Sequence, residues 1–436
     1  MVNEAKQKPP RRYEKMRDSG VAWIGMVPQG WTSFLLGQLV KQVKNKNVLL
    51  QERNLLSLSY GKIKRKDIET AEGLVPASYD GYNIIEKGDI VLRLTDLQND
   101  HTSLRVGLAT ERGIITSAYL TLRPLNSVFP AFLYYALHTF DVRKGFYGMG
   151  AGVRQGLKYD EIRQIKVVLP ALIEQHTIAN FLDKKCSEID AIIAEAKASI
   201  EEYKAWKASI IYEAVTKGLD PHAEMKDSGV EWIGEIPAHW SLRKIKYVAQ
   251  FAPKCDFSKL NDESLITFTP MECIRNGYFE NRSKQFNTMT GSYTPYAEGD
   301  IVFAKVTPCF ENGNICIMKN LYSGVGLGSS ELFVLRSHSV NTEYLFYYLQ
   351  HPGFVQRACA SMTGTGGLKR VSSDFVQNCP LPIPPEEEQH KIVNFLNRRC
   401  TAIEQLISDK NALIEELESY KKSLIYEVVT GKRKVV

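Results

Sequence analysis

The sequence lacks the patterns that mark metal-bound, disulfide-rich and membrane proteins. Its eight cysteines include no Cys-x-x-Cys pair, which argues against both a zinc site and a disulfide framework. No run of about 18 apolar residues occurs, and the basic N-terminal stretch MVNEAKQKPPRRYEKMRD has no apolar signal core. We therefore expect a reduced, soluble protein of the cytoplasm.

Recognisable catalytic motifs are also missing. The chain has no Walker A lysine loop, no His-Glu-x-x-His and no carboxylate string of the Pro-Asp…Glu-x-Lys nuclease type. The nearest approach to a methyltransferase Pro-Cys motif is NCPLP at 378–382, but VVLP stands at the matching place earlier in the chain, so Cys379 is interpreted as incidental. We expect no catalytic, cofactor or metal site in this chain.

The composition is that of a globular protein with a mild basic excess. Of 436 residues, 44% are apolar and 10% aromatic, enough for two or three domains with packed cores. Lys and Arg number 55 against 49 Asp and Glu, a net charge of +6. This excess permits nucleic-acid binding without demonstrating it.

The strongest feature present is an internal repeat. MRDSGVAWIGMVPQGW at 16–31 returns as MKDSGVEWIGEIPAHW at 225–240. In the same order, the GDIV strings at Asp89 and Asp300, the tyrosine pairs at Tyr134 and Tyr347, and the EQH strings at Gln175 and Gln389 also match. A period above 200 residues is far too long for a solenoid, so it indicates two copies of a whole domain with its connector.

Each copy changes pattern once. Short β-rich runs continue to about Val168 and again to about Ile383, and each is followed by one long helix with apolar residues at 4-3 spacing. The domains predicted are 1–168, 169–217, 218–383 and 384–436. The first helix, at about 70 Å, is longer than its own domain is wide, which favours pairing with the other helix.

Chain order predicts that the two helices pair antiparallel, with the globular domains at opposite ends around a pseudo-two-fold axis. Lys207 and Lys421 occupy the same position in the two apolar seams. Polar seam residues can fix the register of a coiled coil, or their ammonium groups can extend to water, and both interpretations stay open.

Three groups of side chains are candidates for DNA contact. The stretch YGKIKRKD offers Lys62, Lys64, Arg65 and Lys66 for phosphates, although a solvated turn would look the same. The loop after the first GDIV strand offers Arg93, Asp96, Asn99 and Arg105, and the loop after the second offers Lys305, Thr307, Glu311, Asn312 and Asn314. Arg, Asn and acidic side chains can read base edges, whereas ordinary turn chemistry is the alternative.

The third group follows a glycine stretch. FYGMGAG at 146–152 has the Phe-x-Gly-x-Gly spacing of a methyltransferase cofactor turn, but its repeat partner SMTGTGGLKR loses that spacing. Both copies instead follow the glycines with basic or polar residues: Arg154, Gln155 and Lys158 in one, Lys369 and Arg370 in the other. We interpret these segments as contacts to the DNA backbone. The repeated tryptophans, by contrast, are predicted to pack.

The repeated DSGVxWIGxxPxxW element, the PP-EEEQ helix entry and the closing SLIYEVVTGK resemble the specificity subunits of type I restriction-modification systems. The resemblance covers nearly the whole chain. It implies an α+β fold with two similar target-recognition domains, each reading half of a split double-stranded DNA target, separated by two long helices in an antiparallel coiled coil.

The same resemblance implies the partners. Two methyltransferase subunits would hold S-adenosylmethionine, and nuclease or translocase subunits would use ATP, while this chain supplies only the recognition. Two other classes remain open: a self-contained DNA methyltransferase, which would bind S-adenosylmethionine by itself, and a coiled-coil scaffold, which would show no sequence-dependent DNA binding.

Overall fold

The structure is a computed structural model that describes residues 12–69, 78–97, 99–100, 102–149, 156–289, 292–364 and 367–435. The chain divides into two compact units. The first unit comprises Met1–Ala196 and Ala412–Val436, and the second comprises Lys197–Asn411. Each unit therefore holds one copy of the repeat together with a segment of each long helix.

The first unit contains two four-stranded sheets. Its strands are β1 (Met16–Asp18), β2 (Met26–Pro28), β3 (Thr32–Leu35), β4 (Val40–Gln42), β5 (Leu55–Ser59), β6 (Lys62–Lys66), β7 (Asn83–Ile85), β8 (Ile90–Leu92), β9 (Val106–Leu108), β10 (Gly113–Ile115), β11 (Leu120–Pro124) and β12 (Lys166–Leu169). One sheet has the order β6-β5-β10-β7 and the other β4-β11-β8-β9, while β1 pairs with β2 and β3 with β12. The helices are α1 (Pro130–Val142), the short α2 (Tyr159–Ile162) and the beginning of α3 (Leu172–Lys217).

The second unit repeats this topology strand for strand. Its strands are β13 (Met225–Asp227), β14 (Glu235–Pro237), β15 (Ser241–Lys244), β16 (Ala249–Phe251), β17 (Leu265–Thr269), β18 (Arg282–Gln285), β19 (Thr294–Ala297), β20 (Ile301–Ala304), β21 (Ile315–Ile317), β22 (Val325–Gly328), β23 (Leu332–Ser337) and β24 (Pro380–Ile383). Sheet orders β18-β17-β22-β19 and β16-β23-β20-β21 correspond to those of the first unit. Its helices are α4 (Thr342–Tyr348), α5 (Pro352–Ala360), α6 (Ser373–Asn378) and the beginning of α7 (Glu386–Val429).

Both long helices begin after prolines, and the first ends before a glycine, as the sequence predicts. α3 follows Pro170 and ends before Gly218, and α7 follows Pro385. A buried glutamine in the first turn of each helix ties it to its own unit: the Gln175 side chain accepts from the backbone N–H of Phe129 at 2.8 Å, and Gln389 does the same with Asn341 at 2.8 Å. The fold class predicted from the sequence, α+β with two similar domains and two long helices, is confirmed.

These glutamine contacts correct one detail of the repeat alignment. Because Phe129 and Asn341 are equivalent, Tyr135 and not Tyr134 corresponds to Tyr347. The Tyr135 hydroxyl donates to Asp183 and the Tyr347 hydroxyl to Asn397, both at 2.7 Å. The one-residue error arose because both copies carry a Tyr-Tyr pair, and the pairs are displaced by one position.

The two seam lysines form ion pairs across the helices. Lys421 of α7 lies 2.6 Å from Asp190 of α3 in the first unit, and Lys207 of α3 bonds to Glu404 of α7 in the second. Along α3, Lys207 lies 17 residues after Asp190. Along α7, its partner Glu404 lies 17 residues before Lys421, as antiparallel helices require. Each ammonium group thus bonds to an acid of the other helix.

The repeated tryptophans belong to the packed interior. Trp31 and Trp240 are only 2% and 1% exposed. Each lies against the glycine that ends a long helix, Gly431 in the first unit and Gly218 in the second. The prediction that these residues pack is confirmed for this pair, and the repeated element serves as a seat for a helix end.

Candidate nucleic-acid interface

An ion pair between a buried aspartate and a partly exposed arginine anchors the strand that leads into each candidate loop. Asp89 immediately precedes β8 and accepts two hydrogen bonds from Arg123, both at 2.7 Å. Asp300 pairs with Arg336 in the same way, at 2.7 and 2.8 Å. The Asp300 side chain is fully buried and that of Asp89 nearly so. A buried carboxylate needs such a partner, so the repeated aspartate is explained as a structural residue.

The first loop, residues 93–105, is organised around a buried arginine. The Arg105 guanidinium donates to the backbone carbonyls of Arg93, Thr95, Asp96 and Asp100 and to the Tyr147 hydroxyl. Arg105 is 0% exposed. Arg105 was predicted to contact DNA; the structure contradicts a direct contact, because the side chain lies beneath the loop with its donors already used. The sequence gives the residue type but not the direction of the side chain.

Two other predicted residues of the first loop lie at its surface. Asp96 and Asn99 are exposed, and the Asn99 amide donates to the Asp96 carboxylate at 2.8 Å. Hydrogen bonds from Ser103 hold the pKa of Asp100 well below its ordinary value, so this carboxylate is ionised at neutral pH. Arg93 lies 3.7 Å from Asp100. The loop thus presents acidic, amide and guanidinium groups on a braced backbone.

The basic stretch at 62–66 forms strand β6, an edge strand. Lys62, Lys64 and Lys66 share one face because alternate residues of a strand point the same way. Arg65 lies on the other face, where it bonds to Glu111 and lowers the pKa of that carboxyl group. The Lys62 ammonium lies 3.6 Å from the Asp190 carboxylate, and both side chains are exposed to solvent. Three of the four predicted cations therefore form one surface, and the fourth is engaged elsewhere.

In each unit the segment after the glycine stretch hydrogen-bonds to the candidate loop. Leu157 N–H donates to the carbonyl of Leu94 at 3.0 Å, and Val371 N–H donates to that of Lys305 at 2.8 Å. Lys158 is exposed beside this contact. Arg154 and Gln155 lie outside the described residues. Two candidate groups that are about 60 residues apart in sequence thus meet at the same place in both units.

The second unit completes this junction with charged side chains. The Thr307 N–H donates to the Lys369 carbonyl at 2.9 Å, and the Lys369 N–H donates to the Thr307 hydroxyl at 3.0 Å. Arg370 donates two hydrogen bonds to the Glu331 carboxylate, at 2.9 and 2.8 Å. Arg370 thereby lowers the pKa of Glu331. The Lys305 ammonium lies 4.0 Å from the same carboxylate. Lys369 and Arg370 remain exposed.

The tip of the second loop, residues 305–314, borders a cavity of about 250 Å³. Glu311 and Asn312 are exposed, and Asn314 is half-buried. The cavity is also lined by Asn276 and Gln350, which the sequence analysis missed. Neither stands near the loop in sequence, so only the folded chain reveals that they add two amide groups to it.

Features of other protein classes are not found in the described part of the chain. None of its helices combines the length and apolar character that crossing a bilayer demands. Within the same residues, no three His, Cys, Asp or Glu side chains lie close enough to share a metal ion. The two units present a duplicated scaffold with polar and basic loops.

Comparison with known proteins gives the family. Residues 28–202 and 237–416 match the model of the type I restriction modification DNA specificity domain. These two stretches make up more than half of the chain, which therefore belongs to this family.

The chain is also similar to individual members. It is 25% identical over 439 residues to the type I restriction enzyme MjaVIII specificity subunit of Methanocaldococcus jannaschii, covering 94% of each chain. Over 216 residues, 48% of this chain, it is 33% identical to the EcoAI specificity subunit of Escherichia coli. That match spans only about a third, 36%, of the Escherichia coli protein.

A solved structure supports the fold. It comes from work on complex assembly and conformational transition of the type I R-M system, and superposes with a TM-score of 0.67 at 14% identity. The match covers 92% of this chain and 98% of the other. At this identity the likeness concerns the fold alone.

Proposed function

We propose that this chain is the sequence-specific DNA-binding subunit of a type I restriction-modification complex, and that each unit reads one half of a bipartite target. One observation carries the proposal. The two units have the same strand order, the same buried Asp–Arg pair and the same junction at Leu94 and Lys305, yet their loops carry different polar side chains. A protein that reads two different half-sites needs a constant scaffold with divergent loops.

The chemistry would reside in partner subunits. Methyltransferase subunits would supply S-adenosylmethionine and modify the DNA, and nuclease or translocase subunits would use ATP. The two long helices, predicted at 169–217 and 384–436, would set the spacer between half-sites and dock the methyltransferase subunits. This chain would bind none of these cofactors and would be non-catalytic.

The alternatives make different predictions. A self-contained methyltransferase would bind S-adenosylmethionine as an isolated chain, and a scaffold would bind all duplexes alike. Against the first, Gly145–Gly148, which includes the start of FYGMGAG, follows α1 rather than a strand, whereas a cofactor turn leaves a strand and enters a helix.

The decisive experiment is methylome sequencing of a host that carries the cognate complex. We expect one fixed bipartite motif. Exchange of residues 1–168 for those of another family member should change one half-site and leave the other half-site and the spacer unchanged. If both half-sites changed, the assignment of one domain to one half-site would be wrong; if no bipartite motif emerged, the proposed function itself would fail.

A further inference from the structure

The hairpin formed by β5 and β6 carries an unusual residue at its tip. Ser59 pairs with Lys62, so Tyr60 and Gly61 alone form the turn. Both have positive φ, 47° and 75°, as a two-residue mirror-image turn requires. Asn-Gly is the sequence that such turns favour, whereas a bulky side chain at positive φ is an outlier. Tyr60 is nonetheless 75% exposed, so burial does not explain the ring.

The tip lies against the first loop. A methyl group built on Gly61 would lie 3.0 Å from Cβ of Leu104, the residue before buried Arg105. The loop braced by Arg105 carries the exposed Asp96 and Asn99. The tip of the hairpin is therefore packed against the end of the loop that carries groups predicted to read bases.

The hairpin also carries a matching charge pattern. Lys62, Lys64 and Lys66 point from one face of β6 at intervals of about 6.6 Å, close to two base-pair steps of about 3.4 Å each. Three like charges in a row repel one another and attract a polyanion. Asp190 lies 3.6 Å from Lys62, but both side chains of this pair are exposed and the interaction is therefore weak.

The second unit repeats the placement with other residues. The connection between β17 and β18 carries Tyr278, which is 61% exposed. In that connection the Asn276 amide nitrogen lies 3.0 Å from a methyl group built on Gly313 of the second loop. An exposed tyrosine beside the loop is thus common to both units, although the turns differ.

We propose that Tyr60 enters a groove of the DNA and stacks against bases of the half-site read by the first unit, while Lys62, Lys64 and Lys66 bind the adjacent phosphates. The inference rests on the proposed function. A β-ribbon fits the major groove, and aromatic side chains contribute to nucleic-acid binding by stacking. The unfavourable backbone conformation of Tyr60 is then retained for the contact that the ring makes.

The test uses the complex reconstituted with its methyltransferase subunits. Dissociation constants are measured over a salt series for a duplex with the methylome-derived site and for an unrelated duplex. Tyr60→Asn should raise the melting temperature by about 2–4 °C by relieving the backbone, yet weaken specific binding about ten-fold. Tyr60→Phe should bind like the wild type. A 2-aminopurine probe placed through the half-site should lose its binding-dependent signal in Tyr60→Asn.

Two controls separate ring, charge and backbone. Replacing Lys62, Lys64 and Lys66 together by Ala should reduce the slope of log affinity against log salt by about three, whereas Tyr60→Asn should leave it unchanged. Leu49 has a positive φ of 58° as well and is 86% exposed, so it serves as a control for the effect of the backbone conformation alone. Leu49→Asn should stabilise the chain and leave affinity within about two-fold.

The outcomes are distinct. If the wild type discriminates between duplexes and Tyr60→Asn binds the specific site equally well, this inference is overturned and the proposed function stands. Equal losses in Tyr60→Asn and Leu49→Asn would also overturn it, because backbone relief would then explain both. A wild type that binds both duplexes alike overturns the proposed function and this inference with it.

Discussion

The two units differ in their candidate loops and agree in the strands and ion pairs that support those loops. In each unit a buried aspartate before the equivalent strand pairs with an arginine. The pairs are Asp89 with Arg123 and Asp300 with Arg336. Above that strand, the first unit braces its loop from below with one buried arginine, Arg105. The second unit uses side chains at the junction, with Glu331 between Lys305 and Arg370.

The difference teaches how a duplicated fold diverges. The aspartate of each ion pair lies within the core, so the arginine cannot be lost from one unit without leaving a buried carboxylate unpaired. The bracing of each loop can change, because it determines only the loop's own conformation. Recognition can thus vary between the units while the strands that carry it stay fixed.

The largest predicted effect comes from removing the brace of the first loop. Arg105→Met leaves several carbonyls without donors and should destabilise the first unit by about 3 kcal/mol. Urea unfolding, with hydrogen exchange in β8 and β9 to assign the loss, would measure it. Arg93→Met, whose guanidinium is partly exposed, is the control and should cost less than about 1 kcal/mol. Equal, small effects would mean that Arg105 does not brace the loop.

The sequence predicted the scaffold better than the interface. The duplication, both long helices and their boundaries at Pro170, Gly218 and Pro385 follow from repeats, heptads and helix-ending residues, which are local signals. The direction of Arg105 and the meeting of Leu157 with Leu94 depend on contacts between distant segments. Tyr60 was overlooked because nothing in YGKIKRKD shows that the turn has only two residues.

An intermediate effect concerns acid. Burial lowers the pKa of His351 in the second unit to about 3 and that of His138 in the first unit to about 4. In the unfolded chain each imidazole takes up a proton below pH 6.5, whereas in the folded chain it stays neutral until a lower pH. The contribution of each histidine to the free energy of unfolding is therefore complete above pH 6.5. This stability is lost as the pH falls towards 3 or 4. At pH 5 each histidine should lower the free energy of unfolding by about 2 kcal/mol relative to pH 7.

In the first unit a compensating acid, Asp141, lies three residues after His138 on the same helix, α1. Burial raises the pKa of Asp141 to about 6, so its folded form gains a proton between pH 6 and 3.8, where the unfolded form stays ionised. At pH 5 this protonation offsets about 1 kcal/mol of the stability that the first unit loses through His138. Hydrogen exchange at pH 7 and pH 5 should therefore show the larger loss of protection in the second unit.

Two variants test the origin of this asymmetry. Asp141→Asn should make the first unit as acid-sensitive as the second, and His351→Asn should reduce the acid sensitivity of the second unit while lowering its stability at pH 7. If Asp141→Asn left the pH dependence of the first unit unchanged, the compensation by this carboxyl would be refuted.

The smallest effects are expected at the seam lysines. Glu404 and Asp190, the partners of Lys207 and Lys421, have side chains that are 54% and 40% exposed, so water screens both ion pairs. Replacing either lysine by Met should change the unfolding free energy by less than about 1 kcal/mol. The two should still differ, because Asp190 has a second cation, Lys62, at 3.6 Å.

Double-mutant cycles measure this difference. The coupling of Lys207 with Glu404, using Met and Gln replacements, should exceed that of Lys421 with Asp190, because Lys62 can still partly neutralise Asp190 when Lys421 is absent. Adding Lys62→Met to the second cycle should raise its coupling to that of the first. If the coupling energy of Lys421 with Asp190 were the same with and without Lys62, the lysines of β6 would not interact measurably with Asp190. Those lysines would then be freer to bind phosphate.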